Sequence, residues 1–150
     1  MIIENNNETL KYVGKFETFI KENKRIVSSN TKDSYVELNF TGTGIKYYAH
    51  TNAWRGVATI YIDGEEIDNV DLYSQNETMD VLVFEINNLD VKEHTIKIKV
   101  KGDKREISKD CKITLSYFEI VEATETTEDT RLDLTELKAI VDELKAIIAE

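Results

Sequence analysis

Residues 35–72 read YVELNFTGTGIKYYAHTNAWRGVATIYIDGEEIDNVDL, and three strands in succession account for them. In the first run Val36, Leu38 and Phe40 alternate with Tyr35, Glu37 and Asn39, the period of a strand with one face buried and one wet. After a glycine-marked turn at 41–44 the alternation resumes, with Ile45, Tyr47 and Ala49 against Lys46, Tyr48 and His50. A polar-aromatic loop over 50–56 follows, and then Ala58, Ile60 and Ile62 share one face while Val57, Thr59 and Tyr61 share the other. Asp63-Gly64 supplies the positive-φ pair that a tight hairpin turn needs. The stretch predicts an antiparallel β domain.

Outward from it, the same period continues. Residues 1–8 are polar and predicted to fray; Tyr12, Gly14 and Phe16 alternate with Val13, Lys15 and Glu17 in an opening strand over 9–19, and 25–29 reads as a short second one. Over 79–86, Leu82, Phe84 and Ile86 alternate with Val81, Val83 and Glu85, apolar on both sides, which predicts a central strand covered on both faces. Over 94–101, Ile96, Ile98 and Val100 point one way and Lys97, Lys99 and Lys101 the other, a solvated face or a protected edge. A charged loop over 102–110 leads to a closing strand over 112–121 that ends in Phe118 and Ile120. About eight or nine short strands with evenly spaced turn signals predict a sandwich.

The segments FTGTGIKYYA (40–49), NAWRGVATIYIDGEEIDNVDLYS (52–74), LVFEINNLDVKEHTIKIKV (82–100) and ITLSYFEIVE (113–122) occur in that order. Together they resemble the galactose-binding-like jelly-roll β-sandwich that accompanies catalytic domains in bacterial glycoside hydrolases and occurs in phage and bacterial surface proteins. The resemblance covers residues 12–121. It implies an all-β, antiparallel jelly-roll domain, a packing role for His94, and a structural calcium as an option of the family; Asp63, Glu65, Asp68 and Asp71 match such an ion by residue type only. Leu115-Ser116 stands where an Ile-Asp pair is common.

Beyond residue 121 the chain changes character. Residues 122–131 form an acidic, Thr-rich linker, and from Leu132 the apolar spacing switches to threes and fours: Leu134, Leu137, Ile140, Val141, Leu144, Ile147 and Ile148. Thr130 with Asp133 three residues on suggests a capping box. The stripe over 132–150 predicts an amphipathic helix, lying on its own sandwich or joining copies of the chain. A helix this short needs a partner surface; the acidic linker makes folding back uneconomical, which favours self-association, and the extra isoleucines at 140 and 147 broaden the stripe toward three strands.

Composition narrows the function. With 29 Asp and Glu against 19 Lys and Arg, the net charge is −10, so the surface repels nucleic acid and anionic lipid. No run approaches the ~20 apolar residues of a membrane span, and the start Met-Ile-Ile-Glu-Asn-Asn-Asn has no secretory pattern. That combination leads to the expectation of a virion component that reaches the cell exterior on lysis. The single cysteine, Cys111, shares parity with Ile113 and Leu115, which predicts a buried, inert thiol.

No nucleophile-and-base motif, metal set or phosphate loop appears, and only two histidines are available, His50 and His94; the expectation is a protein that is not an enzyme and carries no cofactor. Sugar binding asks for an exposed aromatic ring beside a few polar groups. Tyr48, His50, Asn52, Trp54 and Arg55 meet that requirement, with Tyr61 and Tyr73 as further candidates. The competing reading has Trp54 capping the core and Arg55 paired with an acid such as Asp63. The functional expectation is a fibre-type appendage domain that meets bacterial surface carbohydrate in several copies. Its alternatives are a structural spacer and an accessory module of a secreted glycoside hydrolase.

Overall fold

The computed structural model describes residues 1–122; the predicted helix over 132–150, and all but the first residue of the linker, lie outside the described residues. Twelve strands are described. One sheet holds β1 (Ile2–Glu4), β12 (Tyr117–Val121), β6 (Gly44–Thr51) and β9 (Thr78–Ile86), in that spatial order. The second holds β2 (Lys11–Val13), β5 (Tyr35–Gly42), β10 (Lys92–Val100), β7 (Val57–Ile62) and β8 (Glu65–Asp71). A small third sheet orders β11 (Ile113–Leu115), β4 (Lys24–Ser29) and β3 (Glu17–Lys21). All the strand pairings are antiparallel.

The core lies between the two large sheets, and the alternation places it there. Val36, Leu38 and Phe40 of β5, Ile60 of β7, and Ile96, Ile98 and Val100 of β10 come from one sheet; Ile45 and Tyr47 of β6 and Phe118 of β12 come from the other. Burying each large side chain contributes ~1.5–3 kcal/mol. The lysine ladder of β10 is a solvated face and not an edge, since β10 pairs with β5 on one side and β7 on the other.

The FTGTG turn is a corner between sheets, because β5 and β6 belong to different sheets. Its glycines are there for backbone approach: a Cβ on Gly42 would stand 2.5 Å from the Val121 carbonyl oxygen, and one on Gly44 would stand 2.4 Å from that of Ile86. The Asp63-Gly64 turn between β7 and β8 has positive φ at both residues, 52° and 84°, as a two-residue hairpin requires.

Several expectations are corrected. Residues 1–8 are not frayed: β1 pairs with β12, Ile3 enters the core, and Asn5 Nδ2 donates to the carbonyls of Arg25 (2.7 Å) and Leu115 (2.9 Å). The single strand over 9–19 is two, because Gly14 at φ +100° turns the chain from β2 toward β3, which forms a hairpin with β4. The strand over 79–86 is an edge, not a covered centre. Tyr47 pairs with Phe84 but Tyr48 with Leu82, so a bulge at Val83 flips the face of everything before it. Phe84 is buried and Leu82 is 41% exposed. Cys111 is half-buried, not buried; its thiol donates to the Asn30 carbonyl at 3.4 Å, and burial pushes its pKa up.

Candidate functional site

Three connections meet at one end of the sandwich: 52–56 between β6 and β7, 72–77 between β8 and β9, and 101–112 between β10 and β11. Backbone bonds tie them together. Ser74 N donates to the Asn52 carbonyl (3.0 Å), Lys109 N to that of Ala53 (2.8 Å), Gly56 N to that of Lys112 (2.8 Å) and Val57 N to that of Asp103 (3.0 Å). The Ser108 hydroxyl, itself buried, lies 2.6 Å from the Arg55 carbonyl. Loops fixed in this way present side chains without a large ordering cost on binding.

Two aromatic rings stand on this platform. The Asn52 side-chain oxygen accepts from Trp54 N at 2.8 Å, an Asx turn that lifts the indole outward; Trp54 is 49% exposed, with Lys109 Nζ 5.3 Å from its ring. Tyr73 is held by a bond from its own N to Asp71 Oδ1 (2.9 Å) and carries the Arg105 guanidinium 4.7 Å over its ring. Arg105 also pairs with Asp71 at 3.0 Å. Beside them a cleft of about 430 Å³ is lined by Tyr73, Ser74, Gln75, Arg105 and Ile107. The arrangement offers ring faces, guanidinium and ammonium donors, and an amide: groups that recognise a polyhydroxylated ligand.

The structure divides the predicted site residues. Asn52, Trp54 and Tyr73 converge here. Trp54 does not cap the core, and Arg55 does not pair with Asp63. Arg55 and His50 are instead buried under the loops: Arg55 Nε donates to the His50 carbonyl (2.9 Å) and a terminal guanidinium nitrogen donates to His50 Nδ1 (2.7 Å), while His50 Nε2 lies 3.0 Å from Glu77 Oε2. Arginine only donates, so Nδ1 is the lone-pair nitrogen and the proton sits on Nε2, facing Glu77. Burial first, and then the Arg55 charge, hold the His50 pKa below the ordinary value. Burial lowers that of Arg55 to about 10, which leaves it charged at neutral pH. The trio is a structural clamp.

Tyr48 lies elsewhere, on the outer face of the four-stranded sheet, stacked on Tyr117 with centroids 4.4 Å apart. Tyr61 lies on the outer face of the five-stranded sheet, under Lys97 (4.8 Å) and Lys99 (5.1 Å). Sequence reading missed Arg105 and Lys109, because a charged loop gives no sign of which cations fold back over rings.

No family model matches the chain. Among curated proteins, an A type blood alpha-D-galactosamine galactosaminidase from Flavonifractor plautii is 34% identical over 95 residues; the match takes in 61% of this chain but only 9% of that enzyme's length. Among solved structures, the CBM36-1 domain of a multidomain xylanase from the hindgut metagenome of Trinervitermes trinervoides aligns with TM-score 0.57 at 17% identity, covering 83% of this chain and 98% of that one. A family 35 carbohydrate binding module from Clostridium thermocellum aligns with TM-score 0.54 at 12% identity, covering 81% and 98%. A two-domain esterase active on acetylated mannans reaches TM-score 0.63 at 17% identity, over 83% of this chain and 36% of the esterase. The fold is that of a carbohydrate-binding-module β-sandwich.

Within that carbohydrate-binding-module fold, His94 packs against Phe40 and bonds to Asp63 (2.7 Å) and to the Asp90 carbonyl (2.7 Å), the packing role the resemblance implies. The calcium candidates are not brought together: Asp63 serves His94 and Thr95, Asp68 bonds to the Asn69 backbone, and Asp71 serves Tyr73 and Arg105. Among the described residues no group of three or more acidic, His or Cys side chains is placed to hold a metal ion.

Proposed function

We propose that this chain is a non-catalytic glycan-binding module, acting as an accessory unit of a carbohydrate-active enzyme. The observation that carries the reading is a half-exposed tryptophan and a tyrosine on loops pinned together at one end of a carbohydrate-binding-module fold. A pyranose lays its apolar C–H face on an indole or phenol ring, while its hydroxyls take hydrogen bonds from flanking donors. Trp54 is the platform, and Arg105, Gln75 and Lys109 supply the polar contacts. The cations over the two rings, Arg105 and Lys109, favour neutral glycans over amine-bearing ones. The likeness to a galactosaminidase supports the accessory reading and makes galactose-type sugars the first ligands to try.

A single shallow site of this kind gives about −4 kcal/mol, a Kd near the millimolar range. The apolar stripe over 132–150 keeps a second arrangement in play, that of an appendage domain displayed in several copies. Several sites held together would raise avidity by ~10²–10⁴.

Glycan-array binding of the wild-type chain and of Trp54→Ala and Tyr73→Ala tests the proposal. The expected result is selective retention by wild type that falls tenfold or more in Trp54→Ala, with the unfolding midpoint unchanged. Equal retention by all three proteins would remove the loop-end site.

A further inference from the structure

The hairpin of β3 and β4 does not join either large sheet. Its tip, turned by Glu22 and Asn23 at φ 52° and 63°, reaches over the outer face of the four-stranded sheet, where Lys24 pairs with Asp80 of β9 and Lys21 with Glu77 at 2.5 Å. Between this tip, the 4–6 segment and β12 lies a groove of about 440 Å³, within the ~300–1,000 Å³ range of small-molecule sites.

Its chemistry differs from that of the loop end. Tyr117 lines the groove, and one face of its ring is already covered by Tyr48. In the pairing across the sheet Glu4, Tyr117 and Tyr48 lie in one row, so the opposite ring face is on the Glu4 side. Ser116, at 4% exposure, lines the groove too, and its hydroxyl has no hydrogen-bond partner among the described residues. A buried hydroxyl without a partner is costly unless something entering the groove completes it. The side chains of Asn6, Asn23, Arg25 and Glu4 line the same groove and make no hydrogen bond or ion pair with the described residues. Amides donate and accept at once, as sugar hydroxyls do.

From the unpaired Ser116 hydroxyl, the free face of Tyr117 and this ring of uncommitted polar groups, we infer that the groove is a second glycan-binding site, taking an uncharged mono- or disaccharide. Its two carboxylates and two cations balance, so it selects by hydroxyl pattern and not by charge. The site is separate from the loop end, and its occupancy does not depend on Trp54.

The experiment is a titration of the ¹⁵N-labelled full chain with D-galactose, N-acetyl-D-galactosamine and D-mannose, followed by backbone and side-chain amide resonances. It is run on Trp54→Ala, so that the loop-end site is disabled. The expected result is saturable movement of Ser116, Tyr117 and the Asn6 and Asn23 side-chain amides with at least one sugar. In the same background, Ser116→Ala and Asn23→Gly should each weaken that binding about five- to tenfold; the second keeps the left-handed backbone at the tip. Movement confined to the loop end, no movement with any of the three sugars, or affinity unchanged in both variants would overturn the second site. In wild type, the loop-end resonances report on the first site independently.

Discussion

Arg55 brings more donors beneath the loop end than any other side chain there, and His50 receives two of its bonds. Removing the guanidinium leaves His50 Nδ1 buried with no donor, while the His50 carbonyl keeps the Thr114 hydroxyl at 2.7 Å, so Arg55→Ala should cost about 1–3 kcal/mol; a urea midpoint equal to that of wild type would contradict the clamp. The same geometry fixes a pH dependence. The folded His50 pKa lies below 6.5, so below that value the unfolded chain binds the extra proton and stability falls as pH drops. His94 works in the opposite sense. Burial lowers its pKa, but the bonds to Asp63 and the Asp90 carbonyl outweigh that and raise it above 6.5. Its contribution is therefore full below 6.5 and is lost as pH rises through the raised value. Urea midpoints at about pH 5.5 and about pH 8 should separate the two: His50→Gln should flatten the acid loss, and His94→Gln should cost more at the acid end. Parity did not reveal this division of labour. His50 falls on the outward side of β6, and Phe19 of the hairpin, 6.0 Å away, with Arg55 and Glu77 on its two ring nitrogens, makes it an interior residue.

At the level of the strand, glycines in similar-looking turns carry different loads. A methyl on Gly44 would meet the Ile86 carbonyl at 2.4 Å, whereas nothing stands within 4 Å of the one on Gly64, where only the φ of +84° resists. Gly44→Ala should therefore cost about 2–3 kcal/mol and Gly64→Ala about 1 kcal/mol, an ordering that thermal melts would check and a reversal would refute. Strand identity was legible throughout β5, β6, β7 and β10, because one residue in two meets the core without interruption. It failed at β9, where the extra residue at Val83 leaves local composition unchanged while moving Leu82 to the outer face. A bulge is decided by the partner strand, and no period within one strand records it. The candidate site was half legible for a related reason. Trp54 announced itself as the only tryptophan of the chain, but Arg105 reaches Tyr73 and Tyr117 reaches Tyr48 through contacts 32 and 69 positions apart in sequence.

For the whole molecule, the two large sheets close on one core that is continuous from Ile3 to Ile120. What the sandwich does not explain is the stripe of Leu134, Leu137, Ile140, Val141, Leu144, Ile147 and Ile148. The spacing predicts a helix of a little over two heptads there, which is marginal alone and needs a partner surface for its apolar side; to reach its own sandwich it would have to carry the acidic, Thr-rich linker across the surface. We propose that sister chains supply that surface, three of them given the breadth of the stripe. Light scattering should therefore give the full chain a mass near three times that of its monomer, and a chain ending at Val121 the mass of one. Because monomer–trimer equilibria follow the square of protomer concentration, dilution should dissociate the first and leave the second unchanged. Equal monomeric masses at every concentration would end the multivalent arrangement while leaving both glycan sites to be judged on their own binding.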